Sequence, residues 1–261
     1  RIKGGVMAGG NHQTLSLCTP VPMDVVDTQA VSRFTLRQGE EAVFVLAYGR
    51  GRPRRVESYH TQARFEETKA HWEETASKLT YEGLWRDQVV RSFLLLHLMV
   101  YEPTGAVVAA PTASLPERMG GSRNWDYRYS WLRDSSFTMD VLYRTGQVDQ
   151  AAAYLKWLLH QCKVTNGRTR TVYGISANSS LRETTLDHLE GYGGSRPVRI
   201  GNGAVGQLQL DVFGEVILGM HTLFSNGGVI SDEAWSLVEN FAEVVCNNWS
   251  LKDRGVWEVR G

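Results

Sequence analysis

The run Asn124-Trp125-Asp126-Tyr127-Arg128-Tyr129-Ser130-Trp131-Leu132-Arg133-Asp134 decides how the rest of the chain is read. It packs four large aromatic residues and two Arg/Asp pairs together, with no apolar period suited to an ordinary core. Trp125, Tyr127, Tyr129 and Trp131 alternate, so an extended backbone puts their rings on one side and Asp126, Arg128 and Ser130 on the other. Rigid rings beside ionic hydrogen-bonding groups suit a sugar. Rings face its C–H surface, and Asp/Arg pairs clamp vicinal hydroxyls. A half-buried strand with core rings and solvated charges would show the same pattern.

At 261 residues the chain can hold one large domain or two smaller ones. Lys plus Arg and Asp plus Glu both number 28, so there is no electrostatic case for a nucleic-acid partner or an anionic membrane. Phe93 to Val100 is the most apolar run, but His97 interrupts it and it is too short to span a bilayer. Cys18, Cys162 and Cys246 are widely spaced and read as buried free thiols in a reducing, cytoplasmic compartment. The chain opens on Arg1, which leaves a removed leader open.

Residues 1–56 read as strands and turns, with alternation over Thr28 to Arg37 and again over Glu41 to Tyr48. So few strands cannot close a sandwich alone, and the segment reads as the end of a β domain. Residues 57–83 read as a helical linker, its helix running from about Gln62 to Leu79 with Phe65, Trp72, Ala76 and Leu79 in helical register. Residues 84–261 read as a helical assembly. Leu84 to Tyr101 is apolar nearly all round, which predicts a buried helix. Further helices are predicted over 135–144, 148–163, 206–223 and 231–248, the last with Ser231 as N-cap and Asp232 and Glu233 in its first turn. The polar, Gly-rich stretches 164–180 and 191–203 are the loops where binding groups would sit.

Gly201-Asn-Gly203-Ala-Val-Gly206 matches the dinucleotide pattern GxGxxG. It lacks a convincing preceding strand, a closing acidic residue and βαβ alternation, so a loop feeding a helix accounts for it as well. Gln207, Asp211 and Glu215 fall at i, i+4 and i+8 of the predicted helix, forming one polar stripe that faces either solvent or a polar cavity. The histidines form neither HExxH nor HxH and no Asp-rich calcium loop occurs, so no metal or other cofactor is expected. Glu258 follows Trp257 in a loop after the last helix. An indole beside a carboxyl can desolvate it into a general acid, although an isolated Glu is more often a surface group.

Taken together, Gly121–Asp134, the Gly206–Glu215 segment and Gly255-Val-Trp-Glu-Val-Arg260 resemble glycoside hydrolase family 15, the glucoamylase, glucodextranase and bacterial trehalase group. The resemblance implies a mixed β plus α fold: the end of an N-terminal β-sandwich, a helical linker and the first half of an (α/α)6 barrel. It implies Glu258 as general acid and Trp257 as the aromatic beside it. Trp131, Arg133 and Asp134 would hold the terminal glucose, with Arg196, Arg199 and Gln209 as further sugar contacts. Val259, followed by Arg260, stands where glucoamylases often carry a second Glu directly after the acid, which favours a short disaccharide. The implied activity is inverting, exo-acting hydrolysis of an α-glucoside, with α,α-trehalose ahead of α-glucans. A non-catalytic carbohydrate-binding role is the alternative. Inversion needs a second carboxylate about 6.5–9.5 Å from the acid. No residue here matches the family's base, so the chain is expected to be a fragment. The expected partner is a small carbohydrate, and a homo-oligomer stays open.

Overall fold

In the computed structural model the described residues are 4–10, 13–49, 54–164, 170–176, 180–225 and 228–258. The protein is mixed α and β, with six α-helices and small antiparallel sheets among those residues. It divides into two compact units, residues 1–74 and 75–261.

The first unit carries β1 (Gly5–Gly10), β2 (Gln13–Cys18), β3 (Asp24–Val26), β4 (Gln29–Val31) and β5 (Val45–Gly49), followed by the start of α1 (Thr61–Ser77). Strand β2 is central in an antiparallel sheet of order β1-β2-β5, with Leu17 opposite Val6 on one side and Leu46 on the other. The alternating runs 28–37 and 41–48 are strands only over Gln29–Val31 and Val45–Gly49. Alternation predicts which way side chains point but does not provide a partner strand. Phe34 and Phe44 instead meet as a tilted ring pair at 5.6 Å, and both stay largely exposed.

The second unit begins with α2 (Arg86–Met99), whose Phe93 packs with Leu79 and Leu142 in a small buried cluster. The expectation of an all-round buried helix is corrected here, because Leu95 and Leu98 are more than half exposed. An apolar helix buries only the faces that meet a neighbour, and α2 meets one on one side among the described residues.

Next come β6 (Val100–Tyr101), β7 (Ala106–Val107), β8 (Ala113–Pro116), β9 (Asn124–Asp126) and β10 (Ser130–Trp131), leading directly into α3 (Leu132–Arg144). The chain then forms α4 (Val148–Val164), β11 (Val172–Tyr173), β12 (Thr184–Thr185), β13 (Arg199–Ile200), α5 (Asp211–Ser225) and α6 (Asp232–Asn248). The main core lies where α3, α4, α5 and α6 meet. Ala151, Tyr154 and Leu158 of α4, Val212, Val216 and Met220 of α5, and Ala234, Leu237 and Phe241 of α6 recur every three or four residues, so each helix presents one apolar stripe. Phe213 and Phe241 lock α5 to α6 at 5.4 Å between ring centroids.

Two elements start elsewhere than the sequence predicts. Helix α3 begins at Leu132 rather than Ser135, so Arg133 and Asp134 belong to its first turn. Helix α5 begins at Asp211 rather than Gly206. Before it, Gly203–Gly206 forms a short 3-10 turn and Gln207 is extended, so the expected stripe over Gln207, Asp211 and Glu215 does not lie on one helix. The GxGxxG match is likewise no strand–turn–helix: β13 pairs antiparallel with β12. Gly201 has φ +77°, and a Cβ there would collide with the Arg182 carbonyl oxygen.

Candidate active site

The aromatic run does not continue as one strand. Strand β9 pairs with β8, residues 127–129 continue along 109–112 by backbone hydrogen bonds but without a regular ladder, and β10 pairs with β11, Ser130 opposite Tyr173. This break separates the rings. Trp125 lies under the Arg199 guanidinium, 4.4 Å from its ring centroid, whereas Tyr127 and Tyr129 pack with Trp131. Asp126 does not clamp a ligand. Fully buried, it accepts from Arg128 Nε at 2.9 Å, Arg128 Nη2 at 2.8 Å and the Gly201 backbone N–H at 3.1 Å. Its role is to tie β9 to the loop that leads toward α5.

Trp131 and the first turn of α3 face residues brought from more than seventy positions away. Trp131 is almost wholly buried, and its indole N–H donates to Glu258 Oε1 at 2.7 Å. Arg133, also buried, uses one end of its guanidinium on α5 and the chain before it. Its Nη1 donates to Gln209 Oε1 at 3.1 Å and to Asp211 Oδ2 at 3.0 Å. The other end, Nη2, stands 3.6 Å from both Asp134 Oδ2 and Glu258 Oε1, close enough for attraction but too long for a hydrogen bond. Three carboxylates thus surround one cation.

Burial is the main cause that holds the Asp134 carboxyl above the usual carboxylate range. Arg133 pulls the other way, and the charges of Glu258 and Asp211 add to the rise. Although 43% of the Asp134 side chain is accessible, its Oδ2 is sealed from water. That oxygen and Asp211 Oδ1 have no hydrogen-bond partner among the described residues. Burial also raises the Tyr127 phenol, helped by Glu117, Glu258 and Asp134, which puts Tyr127 within electrostatic reach of the cluster. Its ring lies 5.9 Å from that of Trp131.

Glu258 closes a turn in which its N–H donates to Gly255 O at 3.2 Å. It adopts φ +50°, a left-handed conformation that costs a non-glycine residue on the order of 1–3 kcal/mol and concentrates at functional sites.

The fold therefore brings together Trp131, Arg133, Asp134, Gln209 and Glu258. Trp257 is 86% exposed, and the indole that touches Glu258 is that of Trp131. Arg196 is exposed in the segment before β13. Arg199 is engaged away from the cluster: besides stacking on Trp125 it donates to the Ser122 and Asn124 carbonyls and pairs with Glu183 at 3.4 Å. Val259 and Arg260 lie outside the described residues. Sequence reasoning counted Tyr127 among the sugar-facing rings and Asp211 in a polar stripe, but gave neither a named role in the site. The signal for Asp211 was its alternation with Gln207 and Gln209, which fits an extended segment where a helix was expected.

All three cysteines are free, but only Cys18 is buried as expected; Cys162 is partly buried and Cys246 is exposed on the last turns of α6. Among the described residues no group of three or more His, Cys, Asp or Glu side chains is placed to hold a metal ion, and no helix is long and apolar enough to cross a membrane.

The second unit is that of a glycosidase family. The model for Glycosyl hydrolases family 15 matches residues 83–261, and this chain belongs to that family. The trehalase of Thermoplasma acidophilum is 41% identical over 260 residues, covering 100% of this chain and 44% of that protein. The trehalase of Mycolicibacterium smegmatis is 36% identical over 256 residues, covering 96% of this chain and 38% of that protein. The chain thus spans less than half the length of these curated relatives. A solved wild-type glycosidase is 19% identical with a TM-score of 0.45, covering 68% of this chain and 46% of the other.

Proposed function

We propose that this chain carries the glucose-gripping and acid-bearing part of an α-glucoside hydrolase site, with α,α-trehalose as substrate. The observation behind this reading is the convergence of Trp131, Arg133, Asp134 and Glu258, with the Trp131 indole holding Glu258 at 2.7 Å. Membership of a glycosyl hydrolase family and the similarity to proteins named trehalase support the choice of substrate.

In this reading the terminal glucose sits over Arg133 and Asp134. Its hydroxyls donate to the accessible side of the Asp134 carboxylate and accept from the guanidinium edge at Nη2, adding hydrogen bonds where the ion-pair contacts are a slack 3.6 Å. Glu258 protonates the glycosidic oxygen through Oε2, because Oε1 is occupied by Trp131. A second carboxylate, unassigned in this chain, activates water from the opposite face, which inverts the anomeric centre. The helices α3 to α6 then belong to an (α/α)6 barrel, and the β1-β2-β5 sheet to a β-sandwich that precedes it.

The test is a proton NMR time course of the intact protein with trehalose and maltose together, read before the glucose anomers mutarotate. Trehalose should disappear first, with β-glucose appearing beside α-glucose. Glu258→Gln should lower turnover by about 10²- to 10⁴-fold while glucose binding persists. Preferential loss of maltose would replace the substrate, release of α-glucose alone would remove inversion, and an active Glu258→Gln variant would remove the acid.

A further inference from the structure

Residues 207–211, the link after the 3-10 turn together with the first residue of α5, meet different partners along two edges. Alternate side chains run toward Arg133: Gln207 Oε1 accepts from Gln209 Nε2 at 2.9 Å, Gln209 Oε1 accepts from Arg133, and Asp211 pairs with Arg133. Arginine only donates, so Gln209 must turn its oxygen to Arg133 and its amide nitrogen to Gln207. Fully buried and engaged at both ends, Gln209 holds the guanidinium.

The intervening residues turn their backbone to the chain that ends in Glu258. The Arg254 N–H donates to Leu208 O at 2.9 Å, and the Leu210 N–H donates to Asp253 Oδ2 at 3.1 Å. Leu210 immediately precedes α5, where the chain's N–H groups lack intrahelical partners and favour a carboxylate. A lone cap would leave the second segment free to slide. Two bonds spaced along both segments set their register. The same short rail therefore grips Arg133 on one edge and the acid-bearing turn on the other.

We propose that Asp253 is a positioning residue. Its carboxylate anchors the 253–258 turn to the 207–211 rail, so that Glu258 and the Arg133 guanidinium keep a set separation. This rests on the reading of Glu258 as the general acid. A displacement of about 1 Å at a reacting group can cost on the order of 10²-fold in rate.

The experiment compares Asp253→Ala and Asp253→Asn in the intact protein, alone and combined with Glu258→Gln, with hydrogen exchange followed at the Leu210 and Arg254 amides. The Asn side chain still accepts from the Leu210 N–H, so Asp253→Asn should keep kcat on trehalose within about threefold of wild type. Asp253→Ala should lower kcat about 10- to 100-fold with KM nearly unchanged, and speed exchange at both amides. In the Glu258→Gln background the same change should cost almost nothing further, since the group it positions is already gone. A protein merely made less stable would lose activity equally in both backgrounds. Unchanged exchange in Asp253→Ala, or faster exchange with unaltered kcat, overturns the proposal. If wild type cleaves neither trehalose nor maltose, the catalytic reading fails, while the exchange rates still decide whether Asp253 anchors the turn.

Discussion

Arg133 brings one positive charge to three carboxylates, and that charge does not offset burial at Asp134. Its folded pKa lies above the unfolded value, chiefly through burial. A raised carboxyl binds its proton more tightly in the folded state. Its contribution to stability is therefore fully present below about 3.9, the ordinary aspartate value, and is lost as pH rises through the folded value. Asp134→Asn removes that dependence. Relative to wild type, the variant's melting temperature should be higher at neutral pH than at acid pH, and scans across that range would show it. A difference that does not vary with pH would mean that Arg133 fully offsets the burial of this carboxyl. At this scale the sequence singled out Arg133, Asp134 and Glu258 as residue types in a pattern. That Trp131 and not Trp257 would be the indole against Glu258 was not legible, because residues 131 and 258 lie 127 positions apart and meet only in the folded chain.

The helices show what local sequence can and cannot specify. Helix α6 begins where its signals place it: Ser231 is the N-cap, its Oγ accepting from the Ala234 N–H at 3.2 Å, with Asp232 and Glu233 in the first turn. Ser231→Ala should cost about 1 kcal/mol, measurable as a lower urea midpoint at constant slope, with the change confined to stability. Helix α5 is the contrary case. Gly206 to Leu210 contains nothing that forbids a helix outright. However, the Leu208 carbonyl and the Leu210 N–H are taken by Arg254 and Asp253, and those partners lie more than forty residues away. A window of local sequence contains no trace of that competition, so the periodicity runs on past the true start.

Across the molecule, the clearest departure from a fully covered surface is apolar. Phe137 on α3, Leu98 on α2, Leu218 on α5 and Trp235 on α6 are each more than half exposed. The 261-residue chain should therefore bind a hydrophobic dye more strongly than a typical folded monomer, and Leu98→Lys with Leu218→Lys should reduce that signal. Dye binding that the double variant leaves unchanged would place the sticky surface elsewhere. The amino-acid sequence by itself determined the mixed composition of strands and helices, the apolar stripes of α4 and α6, and the family to which the chain belongs. These depend on spacing and on residue type, which the sequence displays directly. Only the tertiary structure decided which charges meet. It put Asp126 on Arg128 and Gly201, set Arg199 over Trp125, and joined Gln209, Asp211 and Glu258 to Arg133. Apart from Asp126–Arg128, two positions apart, each of these pairings depends on where distant backbone segments come to lie, and those at Arg133 are set by the packing of α3 on α5 and by the long-range hydrogen bonds between 207–211 and 253–254.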